Sequence, residues 1–263
     1  MSEQDALQAK DSEKMELKLE VSGSTLFIIP CCKTKKHGGQ TLCSFYDPLG
    51  ESVCSTTYGS ITSARAELLN TVRKNSKYMS GEEYSINEDI RDGPDFGLHG
   101  LSGKYLSAIC RYKGKLYKAV TNFSEIIKAN LTTANKPKIL ILSALYGPLH
   151  PLSMIQDYNL KMSDSQAYQT WTKYFALFLK DYAQKNKISS IHLYLGSTTH
   201  YFKVAERAII PLLEGKLINQ AIQFEVKNGD SCHTPTNHGL LVSAHLGIVS
   251  NPKFTRAIIA NVL

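Results

Sequence analysis

The heptapeptide PCCKTKK at residues 30–36 places two thiols, a hydroxyl and three ammonium groups directly after an apolar run. In a turn that follows a buried strand, backbone N–H groups and the Thr34 hydroxyl can donate to an anion, while lysines supply positive charge. The alternative is a solvated turn that only keeps the strand soluble. We predict phosphate or base-edge contact by Lys33 and Thr34, with Lys35 beside them.

Cys31 and Cys32 raise the possibility of thiol chemistry. Neighbouring ammonium groups lower the pKa of a thiol, so a peroxide-sensing thiol pair is one hypothesis. Small buried cysteines at strand ends are common and no base partner is identifiable, which favours a structural role. The six cysteines also lack C-x-x-C spacing, so we predict neither a zinc site nor a disulfide scaffold, and no cofactor.

A second apolar run, KPKILILSALYG at residues 136–147, ends at Ser143 and leads into PLHPLSMIQDYNLKM. The two prolines of that segment stiffen it, and a rigid loop holds polar groups in place for binding. The Tyr158 ring could stack on a base and Lys161 could contact a phosphate. Asp157 is the best-placed carboxylate if a general base exists. Packing in the core is the alternative role for the tyrosine.

A third apolar run, SSIHLYLGS, leads into TTHYFK, which ends at residue 203. Hydroxyls, an imidazole, a ring and an ammonium in one short turn are typical of a nucleotide-contacting loop. A hydroxyl-rich N-cap of the next helix is the alternative. The two interpretations are compatible, because helix N-termini bind anions. The basic, tyrosine-containing segment around residues 113–115 is a further candidate contact. The predicted nucleic-acid contacts are Lys33, Thr34, Lys35, Lys113, Lys115, Ser143, Tyr158, Lys161, Ser197, Thr198, Tyr201 and Lys203.

The composition agrees with an anionic partner. The 263-residue chain has a formal net charge of +7 and a pI near 9.0, and no acidic residue lies between Asp95 and Glu125. Charge alone does not separate a phosphate-facing surface from a solvated basic face. No apolar stretch is long enough to cross a bilayer, and the N-terminus is acidic rather than signal-like, so we predict a cytoplasmic protein.

Strands that alternate with helices predict an α/β fold, a single domain with a central mixed β-sheet flanked by helices. The domain is predicted over 23–263, after a flexible N-terminal leader over 1–22. Strands are predicted at 24–30, 136–143, 189–197 and 220–226, with a hairpin around Lys113–Gly114. The predicted helices are 63–74 capped by Ser63, 123–131 capped by Ser124, 163–186 capped by Ser163 or Ser165, 203–214 interrupted at Pro211, and 254–263.

Four motifs resemble consecutive motifs of the YaaA peroxide-stress proteins, from about residue 26 to residue 204. They are LYKAV…FS, ILSALYGPLHPLSMIQDYNLKM, YQTWTKY and LYLGSTTHYFKV. The turn at residues 30–32 departs from the family's Ser-Pro-Ala run. The part beyond about 205 does not reproduce the family's arginine-containing end.

The resemblance implies a cytoplasmic α/β protein that binds DNA and protects against oxidative damage. It also implies a distant similarity to uracil-DNA-glycosylase-like domains and to some tRNA base-modifying enzymes. Two functions stay open at this point: DNA binding in the peroxide stress response, and an enzyme of N-glycosidase or base-exchange type that acts on a nucleobase or nucleotide. DNA or a nucleotide is the predicted partner in both cases, with no membrane association.

Overall fold

The structure, a computed structural model, describes residues 21–41, 46–75, 78, 90, 104–227, 233–250, 252–254 and 258–263. Nearly all of the predicted leader lies outside these ranges. Cys43 and Cys232 also fall outside the described residues.

The predicted mixed sheet is confirmed, with six strands in the order β4-β3-β1-β6-β7-β8. β1 pairs in parallel with β3 and β6, and β6 pairs in parallel with β7. The edge strands β4 and β8 are antiparallel to their neighbours, and β2 and β5 form a separate antiparallel pair. The strands are β1 Thr25–Pro30, β2 Leu106–Ser107, β3 Lys138–Ser143, β4 Gly147–Leu149, β5 Met154–Ile155, β6 Ser190–Leu193, β7 Gln220–Val226 and β8 Ile258–Val262.

The inner strands are the continuous apolar runs of the sequence. β1 is buried from Thr25 to Ile29, and β3 is buried from Ile139 to Ser143. Such runs suit parallel strands that are covered on both faces, because neither face of the strand meets water. The helices that flank the sheet are α1 Ser55–Lys74, α2 Ala108–Arg111, α3 Phe123–Thr132, α4 Ser165–Lys185, α5 His200–Glu214 and α6 His233–His245.

The hairpin predicted around Lys113–Gly114 is wrong. The segment instead forms α2 and a 3₁₀ helix at Leu116–Lys118. Between them it pairs with the turn that follows β1. Lys113 N–H donates to the Thr34 carbonyl at 2.9 Å, and Lys36 N–H donates to the Arg111 carbonyl at 2.7 Å. The partner of this segment is thus distant in the sequence, which local turn residues do not reveal.

The final helix is also wrong, because Ile258–Val262 is the edge strand β8. Its register on β7 runs from Ile222 opposite Val262 to Val226 opposite Ile258. Pairing covers one edge of β7, so the tertiary context overrides the local preference.

The predicted helix starts need correction as well. α1 begins at Ser55, so Ser63 lies inside it, and the residue before α3 is Asn122 rather than Ser124. The N-cap of α4 is Asp164. α5 runs uninterrupted through Pro211, which lies in its last turn, where a proline removes only one intrahelical hydrogen bond.

Arg65 of α1 ties that helix to the loop between β3 and β5. Its Nη1 lies 3.0 Å from Asp47 Oδ2, and its Nε and Nη2 donate to the Tyr146 and Pro148 carbonyls, both at 2.8 Å. Ser153 Oγ donates to the other Asp47 oxygen at 2.6 Å. A buried guanidinium with all of these acceptors fixes where the chain turns after β3.

The turn after β3 itself needs a glycine. Gly147 has φ +66°, and a Cβ there would lie 2.2 Å from the Trp171 ring. Trp171 in turn donates its indole N–H to the Ala144 carbonyl at 2.7 Å. This close contact joins α4 to the end of β3. Among the described residues, no helix has both the length and the apolar character that crossing a membrane requires.

Candidate functional site

The fold creates one topological switch point at the carboxyl ends of its parallel strands. β1 and β6 are neighbours, but the chain leaves β1 toward β3 on one side and leaves β6 toward β7 on the other. In open α/β sheets, ligands bind in the crevice that this divergence leaves. A cavity of about 350 Å³ lies there, lined by residues of Cys31–Lys33, Asn159–Ser163 and Thr199–Tyr201.

The rim of this switch-point cavity is positively charged. Lys33 and Lys161 both line it and both are exposed. α5 begins at the cavity, where Thr199 Oγ1 caps the helix by accepting the Phe202 N–H at 3.2 Å. The N-terminus of a helix carries a partial positive charge, so the two lysines and the helix favour the same kind of ligand, an anion.

The two cysteines occupy different environments. Cys31 lines the cavity and lies 3.0 Å from the Tyr201 hydroxyl. Cys32 accepts the Gly114 N–H at 3.1 Å, and its thiol lies 3.0 Å from the Thr34 carbonyl. Burial, with a smaller contribution from Cys31, raises the pKa of Cys32 to about 11. Cys32 is therefore a protonated thiol at neutral pH, which supports the structural role for this residue.

Tyr158 is completely buried, so its ring is not accessible for stacking on a base, and that predicted role is wrong for this structure. Its hydroxyl lies 2.7 Å from Ser143 Oγ and 2.9 Å from the Tyr112 hydroxyl. Ser143 is equally buried and accepts the Tyr146 N–H at 3.0 Å. This network of buried hydroxyls includes Tyr158, which lies directly before the segment 159–163 in the chain.

Lys35 also departs from its predicted role. It is buried, and its ammonium group donates to the Cys32 carbonyl at 2.9 Å and lies 4.1 Å from the centre of the Tyr158 ring. Burial lowers the pKa of this lysine, with nearby cysteines acting in the opposite direction. Lys35 thus holds the turn after β1 together from inside, and a phosphate outside the protein would not reach it.

Asp157 is buried, and the structure pairs it with a residue that the sequence did not single out. His37 Nδ1 lies 2.7 Å from Asp157 Oδ2, and the His37 side chain is 75% exposed whereas that of Asp157 is 3% exposed. Neither carboxylate oxygen of Asp157 meets the geometry of a hydrogen bond in the described structure, so this is a close contact between a buried carboxylate and an exposed imidazole. Pairs of these two groups serve in acid–base chemistry. Only the fold brings residues 37 and 157 together, and no spacing in the sequence indicates the pair.

The remaining predicted nucleic-acid contacts differ in how far their side chains are exposed to solvent. Thr34, Lys115, Thr198 and Lys203 are exposed, and Lys113 is half-buried beside Thr34. The Ser197 hydroxyl donates to Glu225 Oε1 at 3.1 Å instead of pointing to an open site. Within the described ranges, no group of three or more His, Cys, Asp or Glu side chains is placed to hold a metal ion.

A known protein family matches the part of the chain that contains all three segments lining the switch-point cavity. The family model described as "Peroxide stress protein YaaA" matches residues 26–240. The chain belongs to the YaaA peroxide stress protein family. The resemblance seen in the motifs is therefore confirmed, and it extends past residue 204 through β7 into α6. Within this YaaA-family chain, β8 lies outside the matched region.

A curated relative of this YaaA-family chain is a UPF0246 protein from Paraburkholderia phytofirmans (strain DSM 17436 / LMG 22146 / PsJN). The two are 25% identical over 174 residues, which is 60% of this chain and 64% of the relative. The chain thus spans just under two thirds of the length of that relative. The distant similarity to uracil-DNA-glycosylase-like domains stays a prediction.

Proposed function

We propose that this YaaA-family protein binds DNA as part of the peroxide stress response. Membership of the family supports the stress-related role. The observation that carries DNA binding is the convergence of Lys33, Lys161 and the N-terminus of α5 on one cavity at the switch point. A cytoplasmic location remains the expectation from the sequence.

Each element of this rim favours a phosphate for a separate physical reason. Lysines act as point charges toward phosphate oxygens, and the first turn of α5 presents N–H groups and the positive end of its dipole. The cavity is open to solvent at Lys33 and Lys161. The exposed Thr198 and Lys203, also on the segment around the start of α5, would extend the contact along a DNA backbone.

Replacing both rim lysines should weaken DNA binding strongly. In the double variant Lys33→Ala/Lys161→Ala we expect a loss of affinity of about 10- to 100-fold near 0.1 M salt, since two phosphate contacts are removed. The slope of log affinity against log salt concentration should become less steep by about 2 for duplex DNA, roughly 0.9 per contact. Fluorescence anisotropy with labelled duplex and single-stranded DNA measures both quantities.

The matched control is Lys180→Ala, which removes one exposed charge from α4. Unchanged affinity in the rim variant would show that Lys33 and Lys161 do not contribute to DNA binding. An equal loss per charge in the control would show that binding reflects only net charge. Binding that does not depend on salt would exclude phosphate contacts altogether.

The contact between His37 and Asp157 favours a second candidate function, an enzyme that acts on a nucleobase or nucleotide. We propose for this alternative that Asp157 orients His37 as the general base for N-glycosidic cleavage or base exchange. Such groups contribute about 10²- to 10⁴-fold to a rate.

Asp157→Asn should then reduce release of free base by at least about 100-fold, because His37 loses the carboxylate that orients it as general base while the shape of the side chain is kept. Chromatography of reactions with nucleosides, nucleotides and DNA detects the base. His37→Gln should match Asp157→Asn, whereas Lys180→Ala should not. No base from any of these substrates with the unmodified protein would contradict this function and leave DNA binding unaffected.

A further inference from the structure

We propose a second ligand site at the opposite end of the sheet, for a small phosphorylated sugar. Two adjoining cavities lie beside the amino ends of β1 and β3, with volumes of about 550 Å³ and 100 Å³. Both are lined by the same five residues, Leu131, Thr133, Lys136, Lys138 and Asn186, and we call the larger cavity the outer chamber and the smaller one the inner chamber. The site goes beyond the proposed DNA binding, which uses the carboxyl ends of the strands.

The outer chamber is basic. Lys136, Lys138 and Lys187 line it, and among the described residues that line either chamber none is acidic. Lys138 and Lys187 are exposed, while Lys136 reaches the Leu246 carbonyl at 3.3 Å. Three ammonium groups around one opening favour an anion such as phosphate.

The inner chamber contains a buried acceptor that has no partner. Asn130 is 7% exposed, and its Nδ2 donates to the Pro137 carbonyl at 3.0 Å. That bond fixes the orientation of the amide, because a carbonyl only accepts and the amide oxygen cannot take the place of Nδ2. Asn130 Oδ1 therefore faces away from Pro137, and it has no hydrogen-bond partner in the described structure. A ligand that donates a hydrogen bond would satisfy it.

His150 lines the same chamber and supplies the complementary donor. Its Nδ1 accepts the Leu152 N–H at 3.2 Å, so the proton of the neutral ring is on Nε2. Burial lowers the pKa of His150 to about 4, which keeps the ring neutral at physiological pH. A hydroxyl group both donates, as Asn130 requires, and accepts, as His150 requires.

The sizes of the two chambers agree with this chemistry. The inner volume of about 100 Å³ is equivalent to roughly three water molecules, which is room for one or two hydroxyl-bearing carbons. The outer chamber has space for a phosphate and the rest of a sugar. A phosphorylated sugar therefore places its phosphate among the lysines and a hydroxyl between Asn130 and His150.

Isothermal titration calorimetry on the full chain tests the site, with ribose 5-phosphate, ribose and inorganic phosphate as probes. We expect ribose 5-phosphate to bind at least 10-fold more tightly than either of the other two, because only it uses both chambers. Lys138→Ala should weaken that binding at least 10-fold, and Asn130→Leu should reduce ribose 5-phosphate to the affinity of inorganic phosphate.

Lys180→Ala is the matched charge control and should bind ribose 5-phosphate as the unmodified protein does. Circular dichroism shows whether Asn130→Leu is folded, and if it is not, Lys138→Ala on the exposed start of β3 still decides the outcome. Equal affinities for ribose 5-phosphate and inorganic phosphate would overturn the proposal and show that the inner chamber holds only water. Absence of binding by ribose 5-phosphate would also overturn it, without consequence for DNA binding at the other end of the sheet.

Discussion

The free energy of unfolding should fall steeply as the pH drops from about 6.5 to about 4. His192, His238 and His245 surround Phe224 in the core, and burial lowers the pKa of each to about 4. The folded protein keeps these rings neutral, whereas the unfolded chain binds protons below the ordinary histidine pKa near 6.5. Each histidine should then cost about 3 kcal/mol of stability by pH 4. From about one pH unit above 6.5 both states are neutral and the effect vanishes.

His192 is the position at which this prediction is most easily tested. Its ring is completely buried and stacks on Phe27 at 5.5 Å, and neither ring nitrogen has a hydrogen-bond partner in the described structure. His192→Leu has a similar volume and no titratable group, so no polar partner is lost. We expect this variant to be at least as stable as the parent at pH 7 and to lose about 3 kcal/mol less between pH 6.5 and 4.

Urea unfolding followed by circular dichroism at several pH values gives these free energies. His200→Phe serves as a control, because it removes a partly exposed histidine at the start of α5 rather than a core one. A pH dependence of His192→Leu that equals that of the parent would show that protonation of this ring is not linked to unfolding.

Loss of the Arg65 guanidinium should be strongly destabilising, lowering the free energy of unfolding by about 3–5 kcal/mol in Arg65→Met. The substitution leaves the buried Asp47 carboxylate without its cation and the Tyr146 and Pro148 carbonyls without donors. Burial alone would raise the pKa of Asp47, yet Arg65 and the bond from Ser153 hold it below its ordinary value. The lowered pKa of Asp47 therefore depends on Arg65.

A double-mutant cycle separates the ion pair from the packing. Asp47→Asn in the background of Arg65→Met removes the uncompensated charge, and we expect it to recover part of the lost stability at pH 7, as measured by urea unfolding. Additive effects of the two substitutions would contradict an energetic coupling between them. Arg73→Met provides a control, because it removes an arginine from the last turn of the same helix, α1.

The inner strands were predictable because burial on both faces leaves a continuous apolar run. TLFIIP and KILILS are strands in the structure, and β3 stops at Ser143 as expected. QAIQFEV is also a strand, although Gln223 and Glu225 interrupt its apolar character. The existence of α1, α3, α4 and α5 was also predictable from periodicity, whereas α6 was not predicted and the helix predicted over 254–263 is the strand β8. The starting residues were not, since Ser63, Ser124 and Asn122 offer similar local polarity and only tertiary packing selects where the first turn forms.

The errors at β8 and at residues 110–120 share one cause. Both segments bond to partners more than thirty residues away in sequence, β7 in one case and residues 34–36 in the other. The burial of Lys35 and Tyr158 follows from the same distant pairing, because the segment 110–113 covers the turn after β1. Local composition describes these residues as basic and aromatic, and it contains no information about which of them will be enclosed.

The turn after β1, which the segment 110–113 covers, affects the rate at which a ligand can bind. Tyr117 donates to the Pro30 carbonyl at 2.7 Å, and Arg111 donates to the Gly38 carbonyl at 2.9 Å, so the turn is fastened at both ends. A segment fixed in this way loses little configurational entropy when a ligand binds. Association would then be governed by diffusional encounter and electrostatic steering, with no slow ordering step.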